Sequence, residues 1–186
     1  MIYLIRHAES ICNILQSSTG SLFDELTFEG RQECLKLRDY SKLLKQKLNL
    51  QIVCSSAGRA LETAVLLFGS DIKIDFDWLE TNGGYLQNIQ EKYVDFYFKL
   101  ENNIERKYPN GESNYFMQQR VIKSFKKYSD LIKNNNIAIV THLGPMLAIA
   151  DYLDYDISKI ENLDGIVIDI IEKKYKITTH KKLAYH

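Results

Sequence analysis

Ile137-Ala138-Ile139-Val140-Thr141-His142-Leu143-Gly144-Pro145 is the stretch that decides the architecture. It opens with apolar residues that do not alternate with polar ones. Both faces of the strand it encodes must therefore be covered, as in a parallel sheet flanked by helices. Three other runs read the same way: Ile2–Ile5, Leu50–Cys54 and Gly165–Ile171. Helical patterns lie between them. One runs from Thr27 to about Lys47, with apolar positions at Phe28, Cys34, Leu35, Leu37 and Leu44. Another runs from Ala57 to Phe68 and stops before Gly69. A third spans Ser113–Lys133, with Ser113 as N-cap. The last covers Met146–Leu153, with Pro145 in the first turn, where a missing N–H does no harm. Strands alternating with helices predict an α/β domain. Val167–Ile171 and Tyr175–Thr179 read as a hairpin turning at Glu172-Lys173-Lys174, adding antiparallel strands at a sheet edge.

Residues 81–112 break the alternation. They hold Gly83-Gly84, the aromatics Tyr85, Tyr93, Phe96, Tyr97 and Phe98, and a polar end at Tyr108-Pro109-Asn110-Gly111. The segment reads as a small cap insertion within a single domain spanning 1–186.

Composition narrows the function. The chain has 186 residues, with 24 Lys plus Arg against 24 Asp plus Glu. A nucleic-acid binder would carry excess positive charge, so no nucleic-acid partner is expected. No apolar run approaches the roughly 20 residues that cross a bilayer, and Met1 leads straight into a strand-like run without a basic leader. Cys12, Cys34 and Cys54 are odd in number and have no paired spacing, as expected of reduced thiols in a cytoplasmic protein. Oligomeric state is not legible.

Polar residues gather just past three predicted strands: Arg6-His7, then Cys54-Ser55-Ser56 with Arg59 beyond, then Thr141-His142. Ligands of open α/β sheets bind outside the carboxyl ends of strands. Two arginines and two histidines meeting there would form a cationic pocket suited to phosphate, because guanidinium groups bind its oxygens bidentately and stay charged. Helix N-termini behind the strands would add N–H donors. Each residue alone has a plain structural reading; their combination carries the expectation.

Leu4-Ile5-Arg6-His7-Ala8-Glu9-Ser10, with Asn13 six residues after the histidine, resembles the opening motif of the histidine phosphatase superfamily, the phosphoglycerate-mutase-like proteins. Leu26-Thr27-Phe28-Glu29-Gly30 resembles its Leu-Thr-x-x-Gly helix start. The segment from Cys54-Ser55-Ser56 through Arg59-Ala60 to Thr63-Ala64 is similar to its serine-arginine block. Leu79-Glu80 with Gly84 resembles the segment that carries its general acid, Gly111-Glu112-Ser113 with Arg120 a further helix start, and Val140-Thr141-His142-Leu143-Gly144 its second histidine block. Ala8 departs from the family's glycine, Leu143 from a frequent glycine, and Tyr85-Leu86-Gln87-Asn88 from a Trp-Glu-Gly-like ending.

The resemblance implies a three-layer α/β/α sandwich with a mostly parallel central sheet and a small cap insertion. It implies a phosphomonoester hydrolase of the histidine acid type, cofactor-free and metal-independent, acting on a small soluble phosphate ester. His7 would be the nucleophile, forming a phosphohistidine, with its other ring nitrogen held by a backbone carbonyl. Arg6, Arg59 and a protonated His142 would bind the phosphoryl oxygens and complete the catalytic set. Asn13 and the Leu143 position would contact phosphate, Glu80 would be the general acid, and Ser10 and Tyr85 are weaker substrate candidates. Lys92, Tyr93, Tyr97 and Lys99 could line the leaving-group side. Glu112 and Arg120 read as a structural pair, and Thr63 as support for Arg59.

Three rivals follow. A phosphoglycerate mutase must shield its intermediate from water, and only about 30 residues are available here for a cap. A metal-dependent hydrolase built on His7 and His142 is disfavoured by the arginines beside them and by the lack of ligand spacing. A non-catalytic phosphate-binding member is the third.

Overall fold

The alternation of side chains along each strand sorts this sheet into two apolar faces. The computed structural model describes residues 1–17, 21–94, 104–132, 136–157, 159–171 and 174–182. Its elements run β1 (Ile2–Arg6), α1 (Ile11–Ile14), α2 (Phe28–Leu48), β2 (Leu50–Cys54), α3 (Gly58–Phe68), β3 (Lys73–Ile74), α4 (Asn114–Leu131), β4 (Asn136–Thr141), α5 (Leu143–Tyr152), β5 (Gly165–Ile171) and β6 (Lys174–His180). The strands form one sheet in the order β3-β2-β4-β1-β5-β6. β3, β2, β4 and β1 are parallel, whereas β5 and β6 run antiparallel.

Ile2, Leu4, Val53, Ile137, Ile139, Ile166 and Ile168 share one buried cluster with Val121 and Phe125 of α4 and Met146 and Ile149 of α5. Ile5, Ile52, Cys54, Ala138 and Val140 join a second with Cys34 and Leu37 of α2 and Ala60, Ala64 and Leu67 of α3. Helices thus cover both faces, giving the expected three layers. Burial of each aliphatic side chain contributes roughly 1.5–3 kcal/mol.

Helix starts follow local chemistry. The Thr27 hydroxyl accepts from Gly30 N at 2.9 Å, and the Ser113 hydroxyl from Phe116 N at 3.2 Å. Helix α5 begins at Leu143, three residues before the expected Met146, because Pro145 occupies its third position and not its boundary. That shift places the helix N-terminus directly beside His142. Two elements were not anticipated. β3 is only two exposed residues, and α1 is a single turn without a buried residue. Neither carries an apolar period to read.

Of the excursion, residues 81–94 and 104–112 are described. They include a 3-10 turn at Gly84–Leu86 and the bridges Ser17↔Gln90 and Lys107↔Ser113. Tyr97 and Lys99 lie outside the described residues, as do Phe96, Phe98, Lys133 and the hairpin residues Glu172 and Lys173. No helix among the described residues is long and apolar enough to cross a membrane.

Gly30 ties the first turn of α2 to the loop after β1, where Thr27 N donates to Glu9 O at 2.9 Å. A Cβ at Gly30 would stand 2.3 Å from Glu9 O. Gly30→Ala should therefore destabilise the protein by about 1–3 kcal/mol, through backbone displacement, as read from urea unfolding midpoints.

Candidate active site

Strand pairing brings the reactive residues together. Parallel register sets Arg6 opposite Thr141 and Cys54 opposite Val140. Two further hydrogen bonds, His7 N to Thr141 O and Ser55 N to Val140 O, both 2.9 Å, carry the alignment past the strand ends. Arg6, His7, Ser55 and His142 thus cluster at one edge, and Arg59 joins them from the first turn of α3.

His7 is buried. Its Nδ1 lies 2.7 Å from Ala8 O, and its Nε2 lies 3.2 Å from Arg59 Nε. A carbonyl only accepts and a guanidinium only donates, so the proton sits on Nδ1 and Nε2 presents its lone pair. Burial first, then the charge of Arg59, hold the His7 imidazole well below its ordinary 6.5; the Ala8 bond opposes them and the Arg6 charge adds a smaller push downward. Ala8 takes no left-handed conformation, so it replaces the family's glycine without backbone strain. Its N–H donates to Thr63 Oγ1 at 3.0 Å, and Thr63 in turn bonds Arg59 O at 2.7 Å.

His142 stands 5.1 Å from His7, ring centroid to centroid. A protonated donor is expected here from the sequence, whereas the surroundings of His142 favour the neutral ring. Burial, followed by the charges of Arg59 and His7, holds it well below 6.5. The hydrogen bonds supply the same donor without the charge. Ser55 Oγ lies 2.8 Å from His142 Nε2 and accepts from Ala57 N at 3.4 Å. A hydroxyl that donates to Nε2 leaves the imidazole proton on Nδ1, the tautomer that can present an N–H to an oxyanion. Nδ1 and Arg6 Nε are buried and have no hydrogen-bond partner among the described residues. Two such donors suit an oxyanion.

The remaining contacts of the arginines fix their aim. Arg6 donates to Ile160 O at 2.7 Å, and Arg59 to Ser21 O at 2.9 Å. Asp24 Oδ2 lies 3.8 Å from Arg59 Nε, with both side chains buried.

Glu80 follows the 3-10 turn Phe76–Trp78 beyond β3. Its Oε1 accepts from Thr81 N and its Oε2 from Gly144 N, each at 3.0 Å. The carboxylate thus rests on the N-terminus of α5, where the helix dipole favours negative charge. Gly144 permits this approach, since a Cβ there would lie 2.2 Å from Glu80 Oε1. Arg120 clamps the same loop, donating to Asp77 O, Leu79 O and Glu80 O at 2.8, 2.8 and 3.0 Å. Glu112 pairs with Arg120 and also accepts from Asn82 N. The structural pair expected from the sequence therefore positions Glu80.

A cavity of about 940 Å³ opens over these groups, lined by Arg6, His7, Asn13, Arg59, Glu80 and Leu143 among others. Asn13 Oδ1 accepts from Ser10 N at 3.0 Å and from Asn162 Nδ2 at 3.1 Å, which leaves its NH2 for a ligand. Ser10 is fully buried and its hydroxyl lies 3.3 Å from Asn13 Oδ1, so it orients Asn13. Leu143 is the first residue of α5. Tyr85 is largely exposed and lines a neighbouring cavity of about 390 Å³ that also reaches Arg59 and Glu80. Lys92 places its ammonium 4.9 Å over the Tyr93 ring, and Glu91 faces the main cavity instead.

Sequence reasoning did not single out Ser55, Asp24 or Asn162 for the site. Ser55 stood inside the quoted block and could have been found there. Asp24 and Asn162 lie in loops whose approach only the fold creates. Among the described residues, no group of three or more His, Cys, Asp or Glu could hold a metal ion.

Known proteins resemble this chain in sequence and in fold. The chain is 26% identical over 153 residues to "Probable phosphoglycerate mutase GpmB" of Escherichia coli, covering 76% of this chain and 68% of that one. Its fold is similar to that of the alpha-ribazole phosphatase from Shigella flexneri, with a TM-score of 0.78 at 23% identity over 96% of this chain and 95% of that one. It is equally similar to a mycobacterial glucosyl-3-phosphoglycerate phosphatase, with a TM-score of 0.78 at 19% identity over 96% and 97%. Residues 2–178 match the family described as histidine phosphatase superfamily, branch 1, and the chain belongs to that superfamily.

Proposed function

We propose that this chain is a phosphomonoester hydrolase of the histidine acid type, acting through a phosphohistidine at His7 on a small soluble phosphate ester. The observation that carries the reading is the single tautomer of His7, with its proton on Nδ1 toward Ala8 O and its Nε2 lone pair held by Arg59 Nε. The Nε2 lone pair attacks phosphorus while the bond to the leaving oxygen breaks. Arg59 passes its N–H from Nε2 to an arriving phosphoryl oxygen. Arg6, the Asn13 amide and His142 Nδ1–H take the remaining charge. Glu80 in its acid form protonates the departing alkoxide. The carboxylate that results is already held by Thr81 N and Gly144 N. It then accepts a proton from the water that attacks phosphorus, breaking the P–N bond and releasing phosphate with His7 restored. The fixed cations supply the charge stabilisation a metal would otherwise give. Rim residues Ile14, Gln16 and Glu91 are exposed, which favours water entry and hydrolysis over a mutase's shielded transfer. Residues 81–112 fit the role of a small cap on one domain. Three unpaired thiols, raised by burial to about 11 at Cys12, about 12 at Cys34 and about 11 at Cys54, are consistent with a reducing cytoplasm.

His7→Ala should abolish phosphate release from p-nitrophenyl phosphate, and acid-quenched turnover of the native protein should show a phosphoryl adduct on His7 by mass spectrometry. A fully active variant would refute the assignment. Glu80→Gln should slow alkyl phosphates by about 10²–10⁴-fold but p-nitrophenyl phosphate far less, since nitrophenolate leaves without a proton. Equal slowing of both would remove Glu80 from the acid role.

A pH effect follows from the depressed imidazoles. Unfolded histidines take up protons near 6.5, whereas buried His7 and His142 do not. Between 6.5 and the folded values the unfolded state binds more protons, so stability is full above 6.5 and falls as pH drops through that window. Thermal melts from pH 7.5 to 5 should show the decline, and His142→Asn should make it shallower.

A further inference from the structure

The charges beyond the phosphoryl end are lopsided, and that asymmetry bears on the leaving group; the inference rests on hydrolysis at His7. Two cavities meet at Arg59 and Glu80, and the larger also holds His7. The larger is rimmed by Glu9, Glu91, Glu161 and Lys159. Lys159 is bound to Glu161 at 2.6 Å, so its charge is already matched. The smaller lobe, beside Phe23, Leu79, Thr81 and Tyr85, contains no charged residue besides Arg59 and Glu80. Phe23 and Tyr85 are both largely exposed there and offer apolar ring faces. Arg6 and Arg59 lie at the phosphoryl end. Among the described residues, neither lobe therefore presents an unmatched cation to a second anion.

A carboxylate or second phosphate on the leaving group would have to enter against Glu9 and Glu91, or sit in the smaller lobe without a cation beyond the phosphoryl end. Discrimination by leaving a charge unpaired is the usual physical route to rejection. The acidic rim alone would not define a site. Here it surrounds a cavity whose phosphoryl end is lined by Arg6, His7 and Arg59, with Arg6 Nε without a partner. We propose that the site selects phosphate monoesters of uncharged alcohols and rejects those whose leaving group carries a second anion, the phosphoglycerates included.

Glycerol 3-phosphate and 3-phosphoglycerate make a matched pair, with a hydroxymethyl group in one where the other has a carboxylate. On the whole protein at low salt, kcat/KM for glycerol 3-phosphate should exceed that for 3-phosphoglycerate by about tenfold or more. The gap should narrow at roughly 0.5 M salt, where surface charges are screened. Glu91→Lys should narrow it several-fold by supplying a cation. Equal or better use of 3-phosphoglycerate, or a gap indifferent to both salt and Glu91→Lys, overturns the proposal. If p-nitrophenyl phosphate is not hydrolysed either, the hydrolase reading fails separately. Calorimetric affinities of the same two esters then decide selectivity, tighter glycerol 3-phosphate upholding it and equal or tighter 3-phosphoglycerate overturning it.

Discussion

A buried guanidinium and a partly buried one beside two buried imidazoles are the constraint on which the rest of this structure depends. Like charges at such distances repel, and burial removes the water that would screen them. The fold answers in two ways. It supplies acceptors, with Ile160 O on Arg6, Ser21 O on Arg59 and the Asp24 carboxylate nearby. It also holds both imidazoles well below their ordinary pKa by burial and the neighbouring Arg59 charge, with the His7 proton placed by the Ala8 carbonyl. The remaining positive charge is what a phosphoryl group can neutralise. The same arrangement that taxes the unliganded protein thus prepares it for an anion.

Much of this was legible in the sequence because it is local. The runs Ile2–Ile5, Leu50–Cys54 and Ile137–Thr141 are apolar on both faces and became central parallel strands. Thr27 and Ser113 announced helix starts by their hydroxyls. The motif spacing placed Arg6, His7, Arg59 and His142 at three strand ends, which the sheet order β2-β4-β1 makes neighbours. Continuous apolarity reports burial and not direction, however. For Gly165–Ile171 the direction was announced instead by the hairpin with Tyr175–Thr179, and both strands run antiparallel at the sheet edge as expected.

What escaped the sequence is non-local or electrostatic. Asn162 reaches His7 O and Asn13 Oδ1 across about 150 residues of chain. The neutrality of His142 depends on its complete burial near Arg59, and no motif encodes that. Pro145 suggested a helix starting behind it, whereas the helix engulfs it and begins at Leu143. That difference matters chemically, because the earlier start puts Gly144 N under the Glu80 carboxylate.

The Glu80 loop illustrates how a short, poorly patterned segment can be held as rigidly as a strand. Loops carry function best when a scaffold positions them. Here Arg120, anchored on α4 and paired with Glu112, bonds three successive stretches of loop backbone. Thr141 Oγ1 reaches the same loop from the sheet, donating to Trp78 O at 2.8 Å. Glu80 is therefore tied at once to α4, to β4 and to the start of α5. His142, which directly precedes α5, shares that last anchor. Movement of α5 would displace Glu80 and His142 together, so the two groups proposed to act on opposite ends of one phosphoester bond are held in a common frame.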